Sequence, residues 1–160
     1  MGELGWNGLV GFGPVLTYHV DPHFSVDLGA GGSLLGWKAG VRPRYNLFTT
    51  PFTPFVGVGF DATTGLGQVT SDPKDRQGDT NTEPFTINVK ASYLVQGVVG
   101  FDFIHKRGFT MVGCLGYSWL LNRDNVDLLA GTLSPEDRRV INLAFKSGAV
   151  LSFAAGYAWD

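Results

Sequence analysis

The sequence predicts an all-β fold: an up-and-down antiparallel transmembrane β-barrel of about eight strands, forming one domain over residues 1–160. Three observations predict it. Apolar residues recur with a period of two over long stretches, the spacing that places them on one face of a strand. Strand glycines and strand charges share the opposite parity. Connections alternate between short and long, as in a barrel with tight turns at one rim and longer loops at the other.

Composition agrees. Charged residues are 16% of the chain, below the roughly 25% of soluble domains, while Gly contributes 23 residues and Phe 12. Such a balance suits an outer face that meets something apolar. The net charge of −2 gives no electrostatic footprint for nucleic acid. No apolar run is long enough for a transmembrane helix. The single cysteine, Cys114, excludes an intrachain disulfide. No basic-then-apolar leader is visible, and Met1-Gly2-Glu3 reads as an engineered or fragment start, which leaves room for an export signal upstream.

Trp6 to Tyr18 reads as one glycine-rich strand, with Val10, Phe12, Leu16 and Tyr18 on one parity. Asp21-Pro22 marks a turn. Phe24, Val26, Leu28, Ala30 and Leu34 then alternate with Ser25, Asp27, Gly29, Gly31 and Ser33, and a brief connection follows at residues 36–40. Val41, Pro43, Tyr45 and Leu47 alternate with Arg42, Arg44 and Asn46, and residues 49–54 turn the chain. Val56, Val58 and Phe60 alternate with Gly57, Gly59 and Asp61. The clearest alternation runs from Phe85 to Phe103, about 60 Å at roughly 3.3 Å per residue. His105-Lys106-Arg107-Gly108 closes a hairpin onto a strand from Phe109 to Leu121. A last strand runs from about Ile141 to Trp159. Long polar connections occupy residues 63–84 and 122–139, and Ser134-Pro135-Glu136-Asp137 in the second carries a helix-start signal.

The facing of charge decides between a soluble and a membrane barrel. Asp27, Arg42, Arg44, Asp61, Lys90, Asp102 and Lys146 all fall on the less apolar parity, together with Gly29, Gly31, Gly57, Gly59, Gly100, Gly116 and Gly156. Glycines serve poorly on a solvated strand face and well inside a narrow barrel. These seven charged residues are therefore placed inside as a polar network, and Phe, Val, Leu, Tyr and Trp outside against hydrocarbon. Closure then satisfies the backbone donors and acceptors. Trp6, Tyr18, Tyr45, Trp119, Tyr157 and Trp159 sit near strand ends, where interfacial aromatic girdles form.

In this architecture the chain resembles the small bacterial outer-membrane barrels, the transmembrane domain of outer-membrane protein A and its relatives. The end of the chain, Ser152 to Trp159, resembles the C-terminal assembly signal of those barrels, with Tyr157 and Trp159 at its aromatic positions; Ala154 and Asp160 depart from the pattern. The resemblance implies a bacterial outer-membrane location with lipid or detergent around the barrel. Seven strands are legible, whereas single-chain bacterial barrels use even numbers. Either a strand precedes Met1, or two strands have been merged, for example across Lys146-Ser147-Gly148-Ala149.

Chemistry is sparse. Interior charges must pair, and eight-stranded barrels leave room only for side chains, so the network reads as a plug; a selectivity lining is the sharper alternative. His19, Asp21, His23 and His105 occupy turns at one rim without a metal-site spacing, so no metal or cofactor is assigned. The outer-membrane lipid A deacylases use a neighbouring His–Ser pair, but His105 is followed by Lys106 and Arg107, and no base is placed beside Ser118 or Ser152. The expected function is a non-enzymatic, membrane-anchored, loop-presenting structural protein. An extracellular partner would bind at loops 63–84 and 122–139. Alternatives are a narrow channel for small or apolar solutes and a soluble, lipocalin-like ligand binder.

Overall fold

The structure is a computed structural model describing residues 1–71, 85–122, 125–130 and 147–158. Its strands, in chain order, are β1 (Gly2–Trp6), β2 (Phe12–His19), β3 (Phe24–Ser33), β4 (Gly36–Asn46), β5 (Phe52–Thr63), β6 (Gly67–Ser71), β7 (Phe85–Val89), β8 (Ser92–Ile104), β9 (Phe109–Leu120), β10 (Val126–Ala130) and β11 (Gly148–Tyr157). Eight of them, β1, β2, β3, β4, β5, β8, β9 and β11, form a closed antiparallel barrel, in which β1 joins β11 at one edge and β2 at the other. β10, β7 and β6 form a separate three-stranded sheet.

The eighth strand is β1. The stretch from Trp6 to Tyr18 is two strands, broken at residues 7–11, where Asn7 (φ 51°) and Gly11 (φ 79°) take left-handed conformations. Phe85 to Phe103 is likewise two strands, and its first part leaves the barrel for the separate sheet. The turn between β3 and β4 lies at residues 34–35, not 36–40, and Gly36 takes a positive φ there. Gly148 and Ala149 belong to β11 rather than to a turn. The helix start at 134–137 falls outside the described residues.

Short turns at residues 20–23, 47–51 and 105–108 make one rim, the turn rim. Local chemistry closes them. Asp21 Oδ1 accepts hydrogen bonds from the backbone N–H groups of His23 (2.7 Å) and Phe24 (2.8 Å), an Asx turn beside Pro22. Gly108 supplies the positive φ (88°) that ends the 105–108 turn. The opposite, loop rim carries the 7–11 loop, the 34–35 turn and the connections that contain β6, β7 and β10. There Leu35, Ile87 and Val89 form a small buried core against which Val126 packs, so the sheet caps the β3–β4 turn.

Strand parity sorts the wall. Every outward residue of the eight strands is apolar, aromatic or Gly, and none is charged. Two outward glycines, Gly97 and Gly113, lie under the rings of Trp119 and Phe101 from the neighbouring strands, covering backbone that would otherwise be bare. Aromatics gather towards the rims. Tyr18, Phe24, Tyr45, Phe52, Phe109 and Tyr157 ring the turn rim; Trp6, Phe12, Trp37, Tyr93 and Trp119 ring the loop rim. From Tyr93 to Phe103 the outward face of β8 runs about 33 Å along the strand. At a tilt of ~40° that is about 25 Å along the axis, the height of a membrane-facing apolar band.

Candidate functional site: the barrel interior

The chemistry of this molecule is inside the barrel. At its centre Asp27 Oδ2 accepts a hydrogen bond from Arg42 Nε and stands in ion-pair contact with Arg42 Nη2 and Arg44 Nε, each at 3.0 Å, while Thr17 donates to Oδ1 at 2.7 Å. Arg44 Nη1 reaches Asp102 Oδ2 at 3.1 Å, and Arg42 Nη2 reaches Glu3 Oε2 at 3.5 Å. Arg44 also lies over the Phe55 ring, 4.6 Å from its centroid. All of these groups except the half-buried Thr17 are buried. Cross-strand register assembles them: Asp27 on β3 stands opposite Arg42 on β4, and Ser25 opposite Arg44.

A second cluster lies nearer the loop rim. Lys38 Nζ pairs with Asp61 Oδ2 at 3.1 Å, and Gln96 Nε2 donates to the same oxygen. The 7–11 loop folds into the lumen onto this cluster. Lys38 Nζ donates to Gly8 O (2.5 Å), Gln96 Nε2 donates to Asn7 O (2.9 Å) and Gly8 O (3.2 Å), and Glu3 Oε1 accepts from Val10 N (3.1 Å). Leu9 and Val10 are fully buried and pack with Val15. A Cβ on Gly29 would overlap Val10, and one on Gly40 would overlap Leu9. Two of the inward glycines are therefore small because the loop fills the space beside them.

Of the residues proposed for the polar network, Asp27, Arg42, Arg44, Asp61 and Asp102 are brought together in the lumen. Lys90 is not. It stands between β7 and β8 outside the wall, about half exposed, and pairs with Asp127 Oδ2 at 2.6 Å. Its parity matched the interior set only because the chain breaks strand at that point. Lys146 lies outside the described residues. Glu3 and Lys38 are network members the sequence reading missed. Lys38 shares the parity of Arg42 and Arg44, a signal lost when residues 36–40 were read as a connection; Glu3 precedes the first strand that was read. Trp6, Tyr18, Tyr45, Trp119 and Tyr157 face outward and are exposed near the rims, and Trp159 lies outside the described residues. The exposed Lys90–Asp127 pair is worth little: Lys90→Ala should change unfolding free energy by less than about 1 kcal/mol in a denaturant titration, whereas a loss above about 2 kcal/mol would place Lys90 in a structural role.

Remaining candidate groups are accounted for by packing. Cys114 is buried, with Sγ 3.4 Å from Arg42 Nη1 and 3.0 Å from Ser152 Oγ. His19 Nδ1 stands 2.8 Å from Ser25 Oγ, a Ser–His contact not foreseen from the sequence. The hydroxyl of Ser25 also accepts from Asn46 Nδ2 at 3.1 Å, and Ser25 is fully buried. Among the described residues no three His, Cys, Asp or Glu side chains gather to hold a metal. No helix among them is long and apolar enough to cross a membrane, which says nothing of strands. No family model, curated protein or solved structure matches the chain.

Proposed function

We propose that this chain is a bacterial outer-membrane barrel of the outer-membrane protein A type, acting without catalysis as a lipid-embedded anchor that presents its loop-rim cap. One observation carries the reading: outward residues on all eight strands lack charge, while lumen acids and bases pair with one another. A soluble barrel would need the reverse arrangement. The apolar band matches a bilayer in height, and closure leaves no sheet edge for lipid to meet. The capping sheet, with its polar row Gln68, Asn88 and Asp127 in register, offers the surface for an extracellular partner. The protein should fold only in detergent or lipid; a monodisperse monomer in plain buffer would overturn the reading.

A plugged lumen, rather than the channel alternative, is supported by Arg42, Arg44 and Phe55 together with the inward loop. Planar bilayers containing the protein should give a flat trace at moderate voltage. Regular unitary steps would restore the channel.

A further inference from the structure

The 7–11 loop differs from the other described connections because it is held inside the wall it joins. β1 is the shortest strand of the barrel: its register with β2 covers Gly2, Leu4 and the residue between them, opposite Phe12 to Pro14, and is extended by backbone bonds from Val15 N to Met1 O and from Gly5 N to Gly11 O. Across the barrel the β5–β8 ladder runs unbroken from Phe52 to Thr63. Between Gly5 and Gly11 the loop itself is held from within by Lys38, Gln96 and Glu3.

The inserted state has opposing terms. It buries Leu9 and Val10 completely, which favours insertion by removing apolar surface from water. It also confines Asp61 Oδ1, Gln96 Oε1 and Ser118 Oγ in buried positions where they find no hydrogen-bond partner, and burying such atoms unpaired opposes insertion. Gln96 and Ser118 are cross-strand partners, and Gln96 is bonded to Asp61, so the orphan atoms lie together beside the loop. Asn7 holds a positive φ as a non-glycine. Outside the loop, a cleft of about 410 Å³, lined by Leu4, Trp6, Asn7, Phe12, Leu34 and Lys38 among others, gives it room to move.

We infer that the 7–11 loop is a latch: a unit that swings between the lumen and the loop-rim cleft, with Lys38 and Gln96 as the positioning residues that hold it in. Release hydrates Asp61, Gln96 and Ser118 and opens a polar pocket at the loop rim, floored by the Lys38–Asp61 pair. The Arg42–Asp27–Arg44 cluster stays closed beneath it, so release makes a pocket and not a pore. The barrel itself does not unfold. This device depends on the loop's geometry and not on the membrane proposal, and it operates equally in a micelle.

The test is thiol accessibility in detergent-refolded protein with Cys114→Ser. Leu9→Cys reports the latch, and Val98→Cys, buried in the lumen among Phe55, Val112 and Val150, reports the barrel. A charged, water-soluble maleimide should label position 9 slowly, at a rate limited by loop opening, and position 98 more slowly still. Adding Gln96→Leu should speed labelling at 9 at least tenfold and leave 98 unchanged. Lys38→Met should do the same; if that variant does not fold, Gln96→Leu alone decides. Equal rates at 9 with and without Gln96→Leu overturn the latch. Parallel acceleration at 9 and 98 also overturns it, because the side chain would then be supporting the whole barrel.

Discussion

Val99→Arg should destabilise the bilayer-folded protein by about 2–4 kcal/mol, the cost of an arginine near the membrane midplane. Val99 lies about midway between Tyr93 and Phe103 on the outward face of β8, paired with Val56 on β5 and Leu115 on β9. Its surroundings are apolar on both sides. It is also 57% exposed, and this makes the prediction discriminating. In a soluble protein, a surface substitution of that kind stays within about 0.5 kcal/mol. Arginine at Leu34, an exposed loop-rim turn residue, should cost no more than about 1 kcal/mol. Urea titrations of protein folded into phospholipid vesicles give both numbers. Equal, small effects at 99 and 34 would mean that hydrocarbon does not cover the barrel.

Asp27→Ala should cost about 3–5 kcal/mol, because it leaves buried cations without their counter-charge. Asp27 holds both Arg42 and Arg44. Arg44 keeps Asp102, but among the described carboxylates Arg42 keeps only Glu3, at 3.5 Å, beside the Cys114 sulfur. Arg42 is therefore the group left stranded. Adding Arg42→Met to Asp27→Ala should recover more than half of the loss, since an apolar replacement of a buried pair is far less costly than half a pair. The combined effect is then smaller than the sum of the single effects, as for residues in one network. If Asp27→Ala costs under 1 kcal/mol, or if Arg42→Met rescues nothing, the lumen charges do not act as one connected plug.

Parity made the wall legible and hid its breaks. Charges and glycines on one parity pointed inward at Asp27, Arg42, Arg44, Asp61 and Asp102, all five of which lie buried, because strand facing depends only on odd or even position. For the same reason, an interruption that preserves parity leaves no trace. Trp6 and Phe12 both face outward, so the loop between them keeps the alternation in step and two strands read as one. From Ile87 to Tyr93 the apolar positions also stay in step. Ile87 and Val89, however, bury against Leu35 in the cap, whereas Tyr93 faces out from the barrel. Alternation records that one face is covered and does not record by what. The loop entering the lumen was equally silent, since Leu9 and Val10 are adjacent residues buried in an irregular segment and obey no period. Gly8 and Gly11 around them carried the turn signal, but it was absorbed into a strand already rich in glycine.

A closed circuit with an even number of passes finishes on the side where it began. Met1 and Tyr157 both stand at the turn rim, and the β6–β7–β10 sheet stands at the other. On the membrane function proposed above, markers attached at the two chain ends share one aqueous compartment, and a marker in the cap occupies the opposite one. In sealed vesicles with uniform insertion, a protease added outside should remove both terminal markers together or the cap marker alone. No single orientation of this barrel exposes one terminus and protects the other.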